Sequence, residues 1–293
     1  MKTLGRCSVA TLAVMMATAA GGYPRDSEVR GSFERSLKVS GPVNLEVSTG
    51  SGDIMVRTGD SSTVQIHGRI QAHNDRHGDI ADIEQRVRYL EGHPPIEQDG
   101  NHITVGHLED RELTRSLSID YEISVPSETQ LTSRTGSGDL MVEGIRGPVQ
   151  AHTGSGDMKF QSINGSVEAR SGSGDARFDH IAGERVEIES GSGDMELRDV
   201  RTALHVRTGS GDIRAEGEPA GDWMLHAGSG EVTLRLPSQA GFDLVAHTSS
   251  GEVRSDLPIT VQGSLGHGEL RGKVRGGGVR VEVSTGSGDI HIE

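Results

Sequence analysis

"TGSGDMKFQSINGSVEARSGSGDARF", residues 153–178, holds two copies of one pattern whose acidic residues lie 18 positions apart. In each copy Gly-Ser-Gly and an acidic residue separate two short runs in which apolar and polar side chains alternate. A period of two is the pattern of a β-strand with one buried face. A catalytic motif has reason to occur once, so a motif that returns at fixed spacing belongs first to the architecture.

With the acidic residue of each copy as position zero, the series runs through Asp139, Asp157, Asp175, Asp194, Asp212, Glu231, Glu252, Glu269 and Asp289, with an earlier copy at Asp53. Successive steps are 18, 18, 19, 18, 19, 21, 17 and 20 residues. This spacing predicts an all-β, single-domain β-solenoid, β-helix-like, with coils of about 18 residues, each burying its apolar face only against its neighbours. Positions −8, −6 and −4 face inward: Val149, Ala151 and Thr153 in one coil, Val186, Ile188 and Ser190 in another, Val281, Val283 and Thr285 in the last. After the corner, +1 and +3 are again apolar, as in Met158 and Phe160, Met195 and Leu197, or Ile290 and Ile292. Position +6 adds Ile145, Ile163, Ile181 or Val200, with Gly147, Gly165 or Gly183 marking a second corner two residues after the first three. The glycines at −3 and −1 are expected to supply the positive φ of a tight turn. Stacked in chain order, eight steps of about 4.8 Å from Asp139 to Asp289 would span roughly 40 Å.

Composition agrees with a thin core: 32% of the 293 residues are hydrophobic and only 3% aromatic, while the 42 glycines recur at fixed spacing instead of scattering as in a disordered chain. Residues 1–20 read as a secretory signal peptide, with Lys2 and Arg6 before an uncharged stretch that ends in Ala17-Thr18-Ala19. Cleavage there removes the only cysteine, Cys7, and takes the formal charge from −14 to −16 by the loss of two cations. An acidic chain without a basic patch is a poor partner for nucleic acid or anionic lipid. No integral membrane span is expected after cleavage, and the end of the chain inside a repeat, at "DIHIE", suggests no C-terminal anchor. Residues 21–40 read as an N-terminal leader, 41–130 as a first coil plus a strand and helix insert that caps the solenoid, and 131–293 as the regular repeats.

Within that insert "TVQIHGRIQ" and "RSLSIDYEISVP" alternate as longer strands, the second placing Leu117, Ile119, Tyr121, Ile123 and Val125 on one face. Between them a helix is predicted, capped by Asp79, with Ile80, Ile83, Val87 and Leu90 as its apolar stripe and Gly92, Pro94 and Pro95 as its stop.

Stacked coils would align the acidic residues in a column, for which Asp139, Asp157, Asp175, Asp194, Asp212 and Glu231 are the candidate site residues. Unit charges about 5 Å apart in water repel by roughly 1 kcal/mol, so the column needs an offset. A corner Asp accepts backbone N–H groups whatever its charge, yet Asn occurs in none of the copies. Two cation columns flank the acids: Arg134, His152, Arg170, Arg207, His226 and His247 at −5, and Lys159, Arg177, Arg214, Arg254 and Arg271 at +2. Pairing with these is the expected source of counter-charge. Bound Ca²⁺ is the alternative, against which the acid stands directly before an inward residue and recurs once per coil, unlike the calcium-binding nonapeptide. No cofactor or firm metal site is expected. "HNDRH" at 73–77 has metal-like spacing but reads as a solvated loop.

The export signal, the repeated "TGSGD" corners, an insert carrying "PPIEQDGNHITV" and a strand reading "SIDYEISVP" together resemble the bacterial putative-adhesin family of β-strand-repeat proteins, a domain of unknown function. The resemblance covers about Gly41 to Glu293. It implies an exported, solenoidal, non-enzymatic protein of the surface, periplasm or envelope, and it brings no catalytic residue. A protein or a cell-surface or envelope component is the expected partner, with self-association open through exposed strand edges. A Ca²⁺-binding repeat protein is the alternative, and an enzyme acting on polysaccharides the weaker one, since the minimal corners build no cleft.

Overall fold

The computed structural model describes residues 30–72, 80–108, 111–114, 116–261 and 268–293. The signal-peptide and Cys7 readings, "HNDRH" and the Asp79 cap lie outside these residues.

The repeats obey the alternation read from them. Strands β8 (Thr129–Ser137), β10 (Val149–Ser155) and β12 (Val167–Ser173) lie before successive corners and pair in parallel, Leu131 opposite Val149 opposite Val167. Strands β9 (Leu140–Glu143) and β11 (Met158–Asn164) follow the corners and pair in the same way, Leu140 opposite Met158. The longer β13 (Ala176–Ser192) and β14 (Met195–Ser210) run from one row of strands into the other without interruption. Then come β15 (Ile213–Gly217), β16 (Trp223–Ser229) and β17 (Val232–Arg235). Two rows thus face each other across a thin core, a β-solenoid-like, all-β fold. Val149, Ala151, Met158, Phe160 and Ile163 are all buried. Phe160 and Phe178 stack in adjacent coils with centroids 4.7 Å apart and planes 1° apart, the geometry that in-register parallel pairing gives to identical residues. Trp223, fully buried, satisfies its indole N–H on the Thr202 carbonyl at 2.9 Å.

At the N-terminal end, β2 (Val43–Ser51) pairs with β8 and β3 (Ile54–Thr58) with β9. Residues counted as leader include β1 (Arg30–Lys38), which pairs antiparallel with β4 (Thr63–Ala72). Helix α1 (Ile80–Gly92) buries Ile83, Val87 and Leu90 and contacts β1. Ile80, expected on the same stripe, is exposed. After it come β5 (Ile96–Asp99) and β6 (His102–Val105), a hairpin that pairs through β6 with β2. Strand β7 (Leu117–Val125) lies between β3 and β4 and buries Leu117, Ile119, Tyr121, Ile123 and Val125 as read.

The C-terminal end departs from chain order. The last repeat, β22 (Val279–Ser287) and β23 (Ile290–Ile292), pairs directly with β16 and β17. The earlier β18 (Phe242–Ser250) and β19 (Val253–Ser255) are pushed one place outward, pairing with β22 and β23 from the other side. Beyond β18, β21 (Glu269–Val274) and β20 (Ile259–Val261) continue antiparallel. The expected order of coils is therefore wrong over the last fifty residues or so: Asp289 is interior to the stack, not its end.

The corner glycines also divide their labour differently from expectation. Only position −1 takes a positive φ, for example 140° at Gly156. Position −3 is glycine because the coils are too close: a Cβ on Gly154 would lie 2.5 Å from the carbonyl oxygen of Gly136 in the coil beneath. The second corner takes its left-handed residue at +5, at Gly144, Ser162, His180 and Asp199, with φ of 78°, 56°, 56° and 48°. Of the glycines read as marking it, Gly147 and Gly165 lack a positive φ and instead admit the neighbouring backbone.

Candidate functional site

The acidic residues form one ridge, ordered Asp53, Asp139, Asp157, Asp175, Asp194, Asp212, Glu231, Asp289, Glu252, as the strand pairings dictate. All six candidate residues, Asp139, Asp157, Asp175, Asp194, Asp212 and Glu231, lie on it. Glu269 does not: it is part of antiparallel β21, opposite His247. Glu269 lacks the parallel strand register that sets the other acids at a corner.

One contact repeats along the ridge. The Oδ1 of Asp139 accepts the backbone N–H of Asp157 at 2.8 Å, Asp157 that of Asp175 at 2.9 Å, and Asp175 that of Asp194 at 2.9 Å. Asp53, Asp194 and Asp212 do the same for Asp139, Asp212 and Glu231, and Asp289 for Glu252, each at 2.9 Å. Asp120 of β7 extends the series outward by accepting the N–H of Asp53 at 3.1 Å. Each aspartate thus ties its coil to the next with a charge-assisted bond. Its length explains the residue choice: one methylene places the carboxylate over the adjoining amide. The two glutamates stand where this bond is not made by their own side chains, at Glu231 and at the outermost corner, Glu252.

The threonine of "TGSGD" is equally local in purpose. Buried at −4, it gives its hydroxyl to a corner carbonyl, as Thr135 does to Gly52 at 3.0 Å and Thr285 to Gly230 at 3.0 Å. Hydroxyls thereby satisfy carbonyls that the turn leaves without strand partners.

The flanking cations behave otherwise than expected. Arg214 reaches Asp212 at 2.9 Å and Arg254 reaches Glu252 at 2.6 Å. Arg177 instead bonds Glu196 of the next coil at 2.8 Å, and Arg170 is held between Glu168 and Glu189 at 2.7 and 3.1 Å. Among the described residues, Asp139, Asp157, Asp175 and Asp194 form no salt bridge. Backbone amides, rather than a cation column, offset most of the ridge's charge. Outward glutamates absorb much of the cation columns, in a surface network of arginine and carboxylate.

His152 sits between Arg134 and Arg170 on the two flanking strands. Burial first, then the two guanidiniums, hold its imidazole below the ordinary histidine range, with Glu168 opposing them. Hydrogen bonding to Arg235 holds Glu293 below the ordinary carboxylate range. Beside the ridge runs a groove of about 560 Å³ lined by Asp157, Asp175 and Asp194 with Met141, Met158 and Met195. Among the described residues no group of three or more His, Cys, Asp or Glu side chains is placed to hold a metal ion.

The Toastrack DUF4097 family profile matches residues 44–293. The chain belongs to the Toastrack DUF4097 family. The resemblance carried by the corners and the insert is borne out by this match. Among solved structures, this Toastrack chain is similar to a putative adhesin from Bacteroides fragilis, with 12% identity, a TM-score of 0.48 and coverage of 89% of this chain and 97% of that one. It is similar also to a putative cell adhesion protein from Clostridium sporogenes, with 13% identity, a TM-score of 0.29 and coverage of 89% and 98%. A third is a putative lipid binding protein from Parabacteroides distasonis, with 9% identity, a TM-score of 0.41 and coverage of 90% and 97%. No curated protein sequence matches the chain. Among the described residues no helix is long and apolar enough to cross a membrane.

Proposed function

We propose that this Toastrack protein is an exported, non-enzymatic interaction module of the bacterial envelope, adhesin-like in use, which meets a protein or surface partner with its flat strand faces. The observation that carries this reading is the outward surface. Regular rows of arginine and carboxylate, such as Arg170 with Glu168 and Glu189, cover the repeats, and the four-residue corners raise no loops from which a catalytic cleft could be built. Residues 1–20 serve as the export signal in this reading, and 131–293 present the repeats, in coils of about 18 residues that run in chain order as far as β17.

The segment 41–130 adds the end strands and the helix. Its natural role is to cap the stack, because β6 and β7 cover the edges of β2 and β3, and antiparallel β5, β4 and β1 extend the two rows beyond them. The decisive experiment is deletion of the gene in the native bacterium, with attachment and envelope integrity measured alongside crosslinking of the wild-type protein. Loss of attachment, or capture of an envelope component through the repeat faces, is the expected result. Unchanged phenotypes with nothing captured would overturn the proposal. The calcium alternative is weaker, since one oxygen of each ridge aspartate already accepts a backbone amide. Equal melting in calcium and in chelator would remove it.

A further inference from the structure

The β22–β23 coil is held out of chain order by one short crossing. Strand β21 ends at Val274 opposite Phe242, and β22 begins at Val279 opposite the same residue from the other side. Residues 275–278 therefore carry the chain over the start of β18, which lies clasped between the two strands.

That crossing is tight. Arg275, Gly276 and Gly277 take φ of 47°, 89° and 88°, three left-handed residues in a row, the first of them with a side chain. A Cβ on Gly278 would lie 2.5 Å from the carbonyl oxygen of Gly241, and one on Gly277 would lie 2.3 Å from Oδ1 of Asp243. The same Oδ1 is buried and has no hydrogen-bond partner among the described residues, and Lys273 approaches it only to 3.7 Å. A buried acceptor left unpaired beside a left-handed arginine marks local strain. Opening the crossing relieves both, since Arg275 can then extend and Asp243 meets water.

What the crossing delivers is separable from it. Strand β22 lies between β16 and β18, and β23 between β17 and β19, parallel and in register on both sides. Val281, Val283, Ile290 and Ile292 are fully buried, Thr285 bonds the Gly230 carbonyl at 3.0 Å, and Asp289 accepts the Glu252 amide at 2.9 Å. None of these contacts uses residues 275–278, so a coil of the same sequence from another molecule would make them all. A short strained hinge, joined to an element whose slot accepts it from either chain, favours exchange of identical elements. We infer that two copies of this chain exchange the β22–β23 coil, each seating it between β16–β17 and β18–β19 of the other with residues 275–278 extended. The inference does not depend on the envelope role proposed above.

Light scattering of the full chain at increasing concentration tests it, and a dimer should grow in. Deleting Gly276 and Gly277 leaves two residues between Val274 and Val279, a reach of at most about 11 Å. They would have to span two strand spacings, about 10 Å in all, and still arch over Gly241, so this variant should be a folded dimer at every concentration. Arg275→Gly removes the left-handed penalty from the closed form and should lower the association constant roughly fivefold or more. To show which strands meet, Ser284→Cys and His226→Cys chains, each with the only other cysteine changed by Cys7→Ser, are mixed, unfolded and refolded together under oxidation. Ser284 and His226 face each other on β22 and β16, with Oγ and Nδ1 2.9 Å apart, so a disulfide between the two different chains is expected. Ser284→Cys mixed with Arg134→Cys, on distant β8, is the control. A parent that stays monomeric at all concentrations, a monomeric or unfolded deletion variant, undiminished association by Arg275→Gly, or cross-linking no greater at His226 than at Arg134 would each overturn the inference.

Discussion

Replacing Asp157 separates the two properties of a ridge aspartate, its acceptor and its charge. Its Oδ1 holds the N–H of Asp175 at 2.9 Å, while its own N–H donates to Asp139 and survives any side-chain change. A charge-assisted bond contributes about 1.5–3 kcal/mol, less at an exposed corner where water replaces the lost partner. Against this, Asp139 and Asp175 lie one strand spacing away on either side, about 5 Å, so each repels Asp157 by roughly 0.8 kcal/mol in water. Screening at 0.1 M salt reduces the pair of repulsions to about 1 kcal/mol. Asp157→Ala loses the bond and the repulsion together and should be destabilised by about 1 kcal/mol, near 3 °C in thermal midpoint for a chain of this size. Asp157→Asn keeps a neutral acceptor in place and sheds the repulsion, so it should stay within about 0.5 kcal/mol of the parent. Urea and thermal unfolding followed by circular dichroism at low and high salt measure both, with added salt stabilising the parent more than either variant. If Asn proved as damaging as Ala, the bond to the next amide would not be what the ridge depends on, and a partner that needs the negative charge would have to take its place.

Stacking distance predicts a contrast between two chemically identical changes: Gly154→Ala drives a Cβ to 2.5 Å from the Gly136 carbonyl, whereas Gly50→Ala meets nothing within 4 Å. The first should cost several times the second in urea unfolding, the second remaining within about 1 kcal/mol of the parent. Phe178→Ala empties a fully buried site and breaks the stack on Phe160, so a loss of about 3–5 kcal/mol is expected in the same assay. For His152 the folded state favours the neutral imidazole. Its contribution is therefore complete above the ordinary pKa of about 6.5 and declines as pH falls from there through the lowered folded value, because the unfolded chain then binds more protons. His152→Gln should flatten that part of the stability profile in thermal melts between pH 7 and 5.

Much of the coil interior was legible because period-two alternation and a repeated corner are local signals. Val149, Ala151, Phe160 and Ile163 are buried where the pattern put them, and β7 and the body of α1 appear where their own apolar faces required. Ile80 fell outside its stripe because the helix contacts β1 over a short face, and a stripe read from sequence carries no information about where its neighbour ends. The −3 glycines were read as turn residues because sequence shows composition, whereas their cause is a distance to another coil. The bonding of Oδ1 to the next amide was hidden for the same reason: both explanations of the aspartate, amide acceptor and cation partner, predict the same letter. Tyr121 read correctly as a core residue, but that its buried hydroxyl finds no hydrogen-bond partner among the described residues is a property of the packing, which alternation does not report.

By itself the sequence determined that the chain would coil, which side chains would turn inward and where each bend would come, since these follow from backbone sterics and side-chain alternation within a few residues. Tertiary structure alone decided the order of the coils. The corners after β16, β18 and β22 read AGSGE, TSSGE and TGSGD, and strand alternation is the same in all three, so the pattern of buried residues does not tell β22 to pair with β16 instead of β18. That choice rests on which edges the whole stack leaves open when β18, β20 and β21 fold outward as an antiparallel group, and Asp289 enters the interior of the ridge as a consequence.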